Sequence, residues 1–313
     1  MGTPAFALPS LDLLHLSPHT IVALVVPPDR PVGRGRKVRY APTREWALQH
    51  GVVTAQPDKI NDSTFVDWLE EINPDLIVTV AFGRLLPRVV LQLPALGCIN
   101  LHASYLPAYR GSAPIHRAVI EGAAYSGVTI MHMAPELDAG DIIMQEKEPI
   151  SILDTAGMLH DRLAERGAAL LLKAIDALAE GNAVRVPQDH SLATYAPPLT
   201  ADDERLDWNL GAAELYNRIR GLNPWPGAYT TCGDRRIKVW KAVHPEIVDQ
   251  NSETASCHKP GTILAVGEAS LTIATGDGAL TLLDLQPAGK KTMDAGSFCC
   301  GYRIEPGSCL DGV

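Results

Sequence analysis

An amide and an imidazole stand two residues apart at the end of an apolar run. The stretch CINLHA (98–103) is typical of a buried strand, and it carries Asn100 and His102. Side chains two residues apart in a strand project to the same face. An imidazole can act as a general acid or base near neutral pH, and an amide NH2 group can stabilise a developing oxyanion. The spacing therefore points to chemistry at the end of this strand.

A glycine-containing loop downstream supplies two carboxylates. The stretch ELDAGDII (136–143) contains Asp138 and Asp141 on either side of Gly140. Either carboxylate can orient an imidazole, and the three groups together suit acyl transfer through a tetrahedral intermediate. The same residue types also occur as structural pairs and turn formers. Spacing alone leaves catalysis and structure both open.

Composition bounds the class of protein. A chain of 313 residues predicts two domains, and 46% hydrophobic with 20% charged residues is typical of a globular protein. No apolar run is long enough to cross a bilayer. The six cysteines form no CxxC pair, so we expect neither zinc nor disulfides, and a cytoplasmic location fits best. The net charge of -9 argues against extensive coating by nucleic acid but permits one basic patch.

The N-terminal half predicts alternating strands and helices. This alternation favours an α/β fold with a doubly wound, mostly parallel sheet, and such sheets bind ligands just beyond the C-terminal ends of their strands. Asn100 and His102 lie at such an end. The predicted strands are 20–28, 75–82, 98–103, 127–133 and 141–150; the predicted helices are 64–72, 86–94, 113–122 and 155–181, the last capped by Asp154 or Thr155.

The pattern changes after residue 185. Residues 186–204 are polar and rich in proline, which predicts a linker. One helix (212–222) and short strands with turn residues between them follow, as is typical of a small β-barrel. We therefore expect a doubly wound domain at 1–187, a linker at 188–204 and a β-barrel domain at 205–313.

The segment 29–44 concentrates positive charge. Its glycines and prolines prevent a regular helix, and Asp29 is its one acid. An irregular cationic segment suits phosphates, and arginine also stacks on exposed bases. A solvated surface loop is the other interpretation. The cations are Arg30, Arg34, Arg36, Lys37, Arg39 and Arg44.

Longer strings establish a resemblance. CINLHASYLPAYRGSAPIHRAVIEG (98–122) and GVTIMHMAPELDAGDII (127–143) closely resemble the folate-dependent formyltransferase family. The strings GTPAFA, PPDRPVGRGRK, NPWPGAY, KVWKA and LQPAGKK are similar to those of members that formylate the methionine carried by initiator tRNA. The resemblance extends over essentially the whole chain, up to GYRIEPG (301–307).

The resemblance implies a reaction and a role for three residues. The family transfers a formyl group from the co-substrate 10-formyltetrahydrofolate to an amine, which here would be the α-amino group of initiator methionyl-tRNA. Asn100 and protonated His102 would stabilise the oxyanion. His102 would also carry a proton from the amine towards the leaving folate, while Asp138 would hold the imidazole and favour its charged form.

The resemblance also implies two binding regions. The residues that match the folate-binding segments are Ser104, Tyr105 (where leucine is usual), Leu106 and Pro107, together with Phe82, Arg84 and Leu85 in the loop 81–87. The residues that match the family's tRNA-binding segment are Arg30, Arg34, Arg36, Lys37 and Arg39. The β-barrel would likewise bind tRNA. We expect no metal, no membrane contact and a monomer.

Two other functions are alternatives to this one. A formyltransferase for a small amine, such as a purine-precursor ribonucleotide or an amino-sugar nucleotide, would need neither the barrel nor the basic segment. A catalytically silent folate- or RNA-binding protein would not need Asn100, His102 and Asp138 together. A formyl-transfer assay separates the three.

Three departures from the family pattern stand out. Pro198 and Ala201 occupy a region where lysines are usual, which argues against linker contacts to RNA. The adjacent Cys299 and Cys300 are interpreted as packing, because vicinal cysteines rarely form a bridge. Gly2 begins a turn that an apolar strand precedes in relatives, so we expect unpaired backbone groups beside the turn and a chain that starts one strand late.

Overall fold

The computed structural model describes residues 1–32, 37–246 and 258–310, and it forms two compact units. The first unit comprises Met1–Pro114, Ser126–Pro149 and His160–Pro197. The second comprises Ile115–Tyr125, Ile150–Leu159 and the chain from Pro198 onward. The second unit therefore includes two short segments from the first half of the chain.

Short strands and helices alternate along the chain up to residue 197. The strands are β1 (Leu24–Val25), β2 (Arg30–Val32), β3 (Lys37–Arg39), β4 (Thr54–Ala55), β5 (Ile77–Val80), β6 (Cys98–His102), β7 (Arg110–Gly111), β8 (Tyr125–His132), β9 (Ile142–Pro149) and β10 (Tyr195–Ala196). The helices are α1 (Leu8–His15), α2 (Pro42–Gln49), α3 (Ser63–Ile72), α4 (Arg88–Leu91), α5 (Pro114–Ile120) and α6 (Ala156–Ala179).

The central sheet has the strand order β5-β6-β8-β9. β5 and β6 run parallel, with Thr79 opposite Asn100, whereas β8 runs antiparallel to β6, with Thr129 opposite His102. The interior residue Ile99 has no exposed surface, as expected for a β-branched residue in a strand covered on both faces. The sheet is therefore mixed, and the predicted α/β class is confirmed.

Met1 and Gly2 make backbone contacts with β1 and with β5. The Gly2 N–H donates to the Val25 carbonyl (3.3 Å), and the Val80 N–H donates to the Met1 carbonyl (2.9 Å). Gly2 also forms a parallel bridge with Val80. Backbone groups of Val25 and Val80 are thus engaged by the first two residues.

The long helix α6 begins where a threonine caps it. The Met158 N–H donates to Oγ1 of Thr155 at 3.2 Å, which satisfies one of the amide groups left free at a helix start. Asp154 instead accepts from the Ser151 N–H at 2.8 Å. Of the two caps that the sequence allows, the structure therefore uses Thr155.

The second unit is built on an antiparallel sheet with a helix-lined core. Its strands are β11 (Ala228–Cys232), β12 (Arg235–Ala242), β13 (Ile263–Val266), β14 (Leu271–Ala274), β15 (Ala279–Pro287) and β16 (Met293–Asp294), and its helices are α7 (Ala201–Glu204), α8 (Ala212–Gly221) and α9 (Ala295–Tyr302). The order is β11-β12-β15-β14-β13, with β16 beside β15. Leu215, Val239, Leu282 and Phe298 are buried in one apolar cluster. Among the described helices, none is long and apolar enough to cross a membrane.

Candidate active site

The parallel strands β5 and β6 position Asn100. Thr79 stands opposite Asn100 in the ladder, and its hydroxyl donates to Asn100 Oδ1 at 2.8 Å. Oδ1 is the amide atom that faces the Thr79 hydroxyl, a group that can both donate and accept. Nδ2 is therefore the group that Asn100 can offer to a substrate oxygen.

His102 ends β6 and pairs with one of the two candidate carboxylates. Its Nδ1 lies 3.7 Å from Asp138 Oδ2, and the two side chains are 6% and 12% exposed. Asp138 Oδ2 also accepts from the Gly111 N–H at 2.8 Å. Because both groups are nearly buried, their attraction is screened far less than that of a surface pair.

The second carboxylate residue, Asp141, interacts with a different histidine, His132. Burial and the charge of Arg185 lower the pKa of His132, whereas the charge of Asp141 opposes that shift. The Asp141 carbonyl also accepts from the His132 N–H at 2.9 Å. Spacing left the choice between the carboxylates open, and the structure brings Asp138 to His102.

The other ring nitrogen of His102 faces a backbone carbonyl. Nε2 lies 3.0 Å from the carbonyl oxygen of Tyr109, and a carbonyl can only accept, so Nε2 carries a proton. A neutral ring would then turn the lone pair of Nδ1 towards the Asp138 carboxylate. The imidazolium is the one form of the ring that offers a proton to both neighbours.

The backbone of residues 109–111 contacts both His102 and Asp138. Tyr109 has a φ of 61° and Gly111 a φ of 126°, and a Cβ at Gly111 would overlap the Ala196 carbonyl oxygen. Asp138 itself has a φ of 49°. Backbone in this left-handed region persists only where surrounding contacts impose it, and it clusters at functional sites.

The four residues predicted for the folate segment lie directly after β6. Ser104 and Leu106 are buried, with 0% and 1% of their surface exposed, and Tyr105 and Pro107 are half-buried. The Ser104 hydroxyl donates to the Ala108 carbonyl at 2.6 Å. The Ser104 side chain therefore stabilises the loop that follows β6.

The three residues predicted in the loop 81–87 differ in their exposure. Phe82 is buried and Leu85 is 66% exposed. Arg84 donates to the Pro57 carbonyl at 2.9 Å. Arg84 and Leu85 also line an open cavity of about 410 Å³, together with Asp58, Lys59, Ile60, Asn61, Leu86 and Pro87.

The predicted tRNA-binding segment is described only in part. Arg34 and Arg36 lie outside the described residues, as do the side chains of Arg30, Lys37 and Arg39. The backbone of β2 pairs antiparallel with β3. Of the flanking residues, Asp29 and Arg44 form an ion pair.

Cations of the second unit contact aromatic rings of the same unit. The Arg236 guanidinium lies 3.5 Å from the centroid of the Tyr229 ring and donates to Glu204 at 2.8 Å. Lys238 lies 5.1 Å from the Trp240 ring. Such contacts stabilise exposed strands by themselves, so these residues need no ligand to explain their position.

Several residues that hold the site went unnoticed in the sequence. Tyr109 acts through its main-chain carbonyl, which leaves no trace in residue type. Gln188 donates from Nε2 to the carbonyls of Asp138 (2.9 Å) and Gly140 (2.7 Å), although the sequence places it in the predicted linker. Thr79 could have been found from the predicted register of two parallel strands. Within the described residues, no cluster of histidine, cysteine and carboxylate side chains could hold a metal ion.

Family models match most of the chain. A model described as formyl transferase matches residues 1–175, and one described as the formyl transferase C-terminal domain matches residues 198–303. The chain therefore belongs to the formyl transferase family, as the sequence resemblance predicted.

Curated relatives define the branch of the family. The methionyl-tRNA formyltransferase of Moorella thermoacetica is 47% identical over 310 residues, covering 99% of this chain and 97% of the relative. That of Bacillus subtilis is 42% identical over 311 residues, covering 99% and 96%. The predicted similarity to enzymes that formylate methionyl-tRNA is confirmed.

Solved structures share the fold. The N-formyltransferase from Helicobacter canadensis, in complex with folinic acid and dTDP-3-aminofucose, has a TM-score of 0.64 and 18% identity, covering 90% of this chain and 96% of that chain. HypX from Aquifex aeolicus in complex with tetrahydrofolic acid has a TM-score of 0.59 and 18% identity, covering 83% and 44%.

Proposed function

We propose that this enzyme transfers the formyl group of 10-formyltetrahydrofolate to the α-amino group of the methionine on initiator methionyl-tRNA. The observation that carries the proposal is the nearly buried pairing of His102 with Asp138, at 3.7 Å, beside Asn100 on the same strand. An amide and an imidazolium on one strand face suit a carbonyl carbon that becomes tetrahedral.

The proposed chemistry assigns one task to each residue. The amine nitrogen attacks the formyl carbon, and the formyl oxygen becomes an oxyanion that Nδ2 of Asn100 and His102 stabilise. His102 donates its Nε2 proton to N10 of the folate as the bond between the formyl carbon and N10 breaks, and the neutral ring then takes up the proton lost by the amine. Asp138 keeps the imidazole oriented and balances its charge. The substrate must replace the Tyr109 carbonyl as the acceptor at Nε2.

We assign binding to three segments and to the second domain. The folate would contact the loop formed by Ser104, Tyr105, Leu106 and Pro107, and the loop containing Phe82, Arg84 and Leu85. The basic segment with Arg30, Arg34, Arg36, Lys37 and Arg39 would contact tRNA phosphates. We assign catalysis to residues 1–187 and tRNA binding to residues 205–313, joined by 188–204, in a monomeric cytoplasmic enzyme.

A transfer assay tests the proposal directly. Purified enzyme is mixed with charged initiator methionyl-tRNA, with and without 10-formyltetrahydrofolate, and formylmethionine is measured. We expect product only when both substrates are present. Folate-dependent formylation of an amino-sugar nucleotide or an amine-bearing ribonucleotide, with none of methionyl-tRNA, would overturn the choice of substrate. Binding of both ligands without product would favour a silent binding protein.

A further inference from the structure

A buried amide joins the loop that carries Asp138 to the segment that contacts His102. Gln188 is 6% exposed and Arg110 is 4% exposed. The Gln188 Oε1 accepts from Arg110 Nε at 3.2 Å and from a terminal guanidinium nitrogen at 2.7 Å. Its Nε2 donates to the carbonyls of Asp138 and Gly140 at 2.9 and 2.7 Å.

The hydrogen bonds of Gln188 determine its orientation. A carboxamide has two N–H donors and two acceptor lone pairs, and here both donors meet carbonyls while the oxygen meets two guanidinium N–H groups. Rotating the amide by half a turn would set oxygen against oxygen and donor against donor. The side chain therefore has one orientation, and in it both of its ends are engaged.

An exposed histidine meets the same terminal nitrogen of Arg110 that donates to Gln188. A terminal nitrogen of Arg110 lies 3.0 Å from His190 Nδ1, and because guanidinium only donates, Nδ1 is the acceptor. The Arg110 backbone also donates to the Thr194 carbonyl at 2.9 Å. Arg110 is thereby anchored by its side chain and its main chain at once.

The two residues beside Arg110 contact the candidate catalytic pair. The Tyr109 carbonyl faces His102 Nε2 at 3.0 Å, and the Gly111 N–H donates to Asp138 at 2.8 Å. Gln188 thus connects the backbone of Asp138 with the segment that holds both His102 and the Asp138 carboxylate. The backbone of Asp138 has a φ of 49°, and it keeps this left-handed conformation only where neighbouring groups stabilise it.

We propose that Gln188 is a positioning residue that keeps the Asp138 carboxylate aligned with His102, through the two N–H bonds from its side chain to the Asp138 loop. This inference rests on the proposed catalytic role of Asp138. The segment predicted as the start of a linker would then be part of the catalytic framework. Substrate affinity would depend on Gln188 much less than turnover does.

Two substitutions separate the loop bonds from the bond to Arg110. Gln188→Glu keeps the side-chain length and the acceptor for Arg110 but presents no donor to the two loop carbonyls. Gln188→Leu removes both interactions. We expect each to lower kcat by roughly 10- to 100-fold, the size of effect that a misplacement of about 1 Å produces, with little change in KM for methionyl-tRNA or 10-formyltetrahydrofolate.

A control carboxamide lies on the surface of the first unit. Asn182 is exposed and donates from Nδ2 to Glu180 at 3.3 Å. Asn182→Leu should leave kcat unchanged. Thermal unfolding of each variant establishes whether it is folded at the assay temperature. Gln188→Glu, which retains the pairing with Arg110, remains informative if Gln188→Leu unfolds.

A double-mutant cycle with Asp138→Ala supplies the decisive readout. If Gln188 acts through Asp138, Gln188→Glu should cost little further activity once Asp138 is alanine. Full kcat in Gln188→Glu, or multiplied losses in the double mutant, would overturn the inference. Near-normal turnover by Asp138→Ala alone would instead overturn the proposed function, so the two failures are distinguishable.

Discussion

The end of β6 and the β11–β12 surface carry polar side chains in two different ways. At the end of β6, His102, Asp138 and Gln188 are nearly buried, and each makes a hydrogen bond of 2.8 to 3.0 Å. On β12, Arg236 is exposed and lies over the Tyr229 ring. Burial makes each bond of the first region strong and each misplacement costly, whereas solvent screens the charges of the second.

From this difference we expect single substitutions in the two regions to affect different properties of the enzyme. In the first region, a change should alter the geometry of reacting groups and therefore turnover. In the second, a change should alter stability or association and leave the chemical step alone. The following predictions test this division.

The largest effect is expected at the buried histidine. His102→Ala should lower kcat by roughly 100- to 10,000-fold, because it removes the proposed acid–base group. The matched control is His19→Ala, since His19 pairs with Asp176 at 2.8 Å on the surface. Steady-state formyl transfer measures both. Similar rates of formyl transfer for the two variants would contradict a special role for the buried histidine.

A salt dependence is expected from the basic segment. Replacing Arg34, Arg36 and Lys37 with alanine should raise KM for methionyl-tRNA. Its dependence on log salt should flatten by roughly one unit of slope or less for each phosphate that is no longer neutralised. Folate binding should hardly change. The control replaces three exposed cations outside the proposed tRNA-binding regions, namely Arg88, Lys173 and Arg185. An equal change in the control would assign the effect to net charge alone.

A pH-dependent contribution to stability is expected in the second unit. Burial would raise the pKa of Asp203, but hydrogen bonds from Arg117 and Thr200 and the charge of Arg117 outweigh it and lower the pKa from 3.8 to about 2. The carboxylate is therefore stabilising above about pH 4, and that contribution is lost as the pH falls towards 2.

The substitution Asp203→Asn measures this contribution. It should lower the free energy of unfolding by about 2 kcal/mol at pH 7, and the difference from the wild type should vanish near pH 2. Urea unfolding at both pH values checks it. Asp202→Asn, at the exposed neighbouring position, is the control and should change little. A difference that persists at pH 2 would rule out the ionised carboxylate as its source.

The smallest effect concerns two adjacent cysteines. Burial, together with Cys232, raises the pKa of Cys299 to about 11, whereas Cys300 is exposed. Because the thiolate is the reactive form, iodoacetamide should label Cys300 well before Cys299 at pH 8, as read by mass spectrometry. Activity should be unaffected during the first labelling. Equal rates would contradict the burial of Cys299.

The sequence predicted the class of fold well where local pattern carries the information. Apolar β-branched runs located β5, β6, β8 and β9, because burial of strands requires them. The spacing of Asn100 and His102 located the site at the C-terminal end of β6. The boundaries of the short strand β1 were less accessible, since the run 20–28 is longer than the two residues that pair.

Only the tertiary structure decided how the polar groups meet. Whether Asp138 or Asp141 faces His102 depends on the path of a loop, which residue type and spacing do not specify. Tyr109 contributes its main-chain carbonyl, and every residue has one. Gln188 lies 50 residues from Asp138, so its role required the backbone to close that distance. Residue chemistry thus came from the sequence, and the choice among partners came from long-range packing.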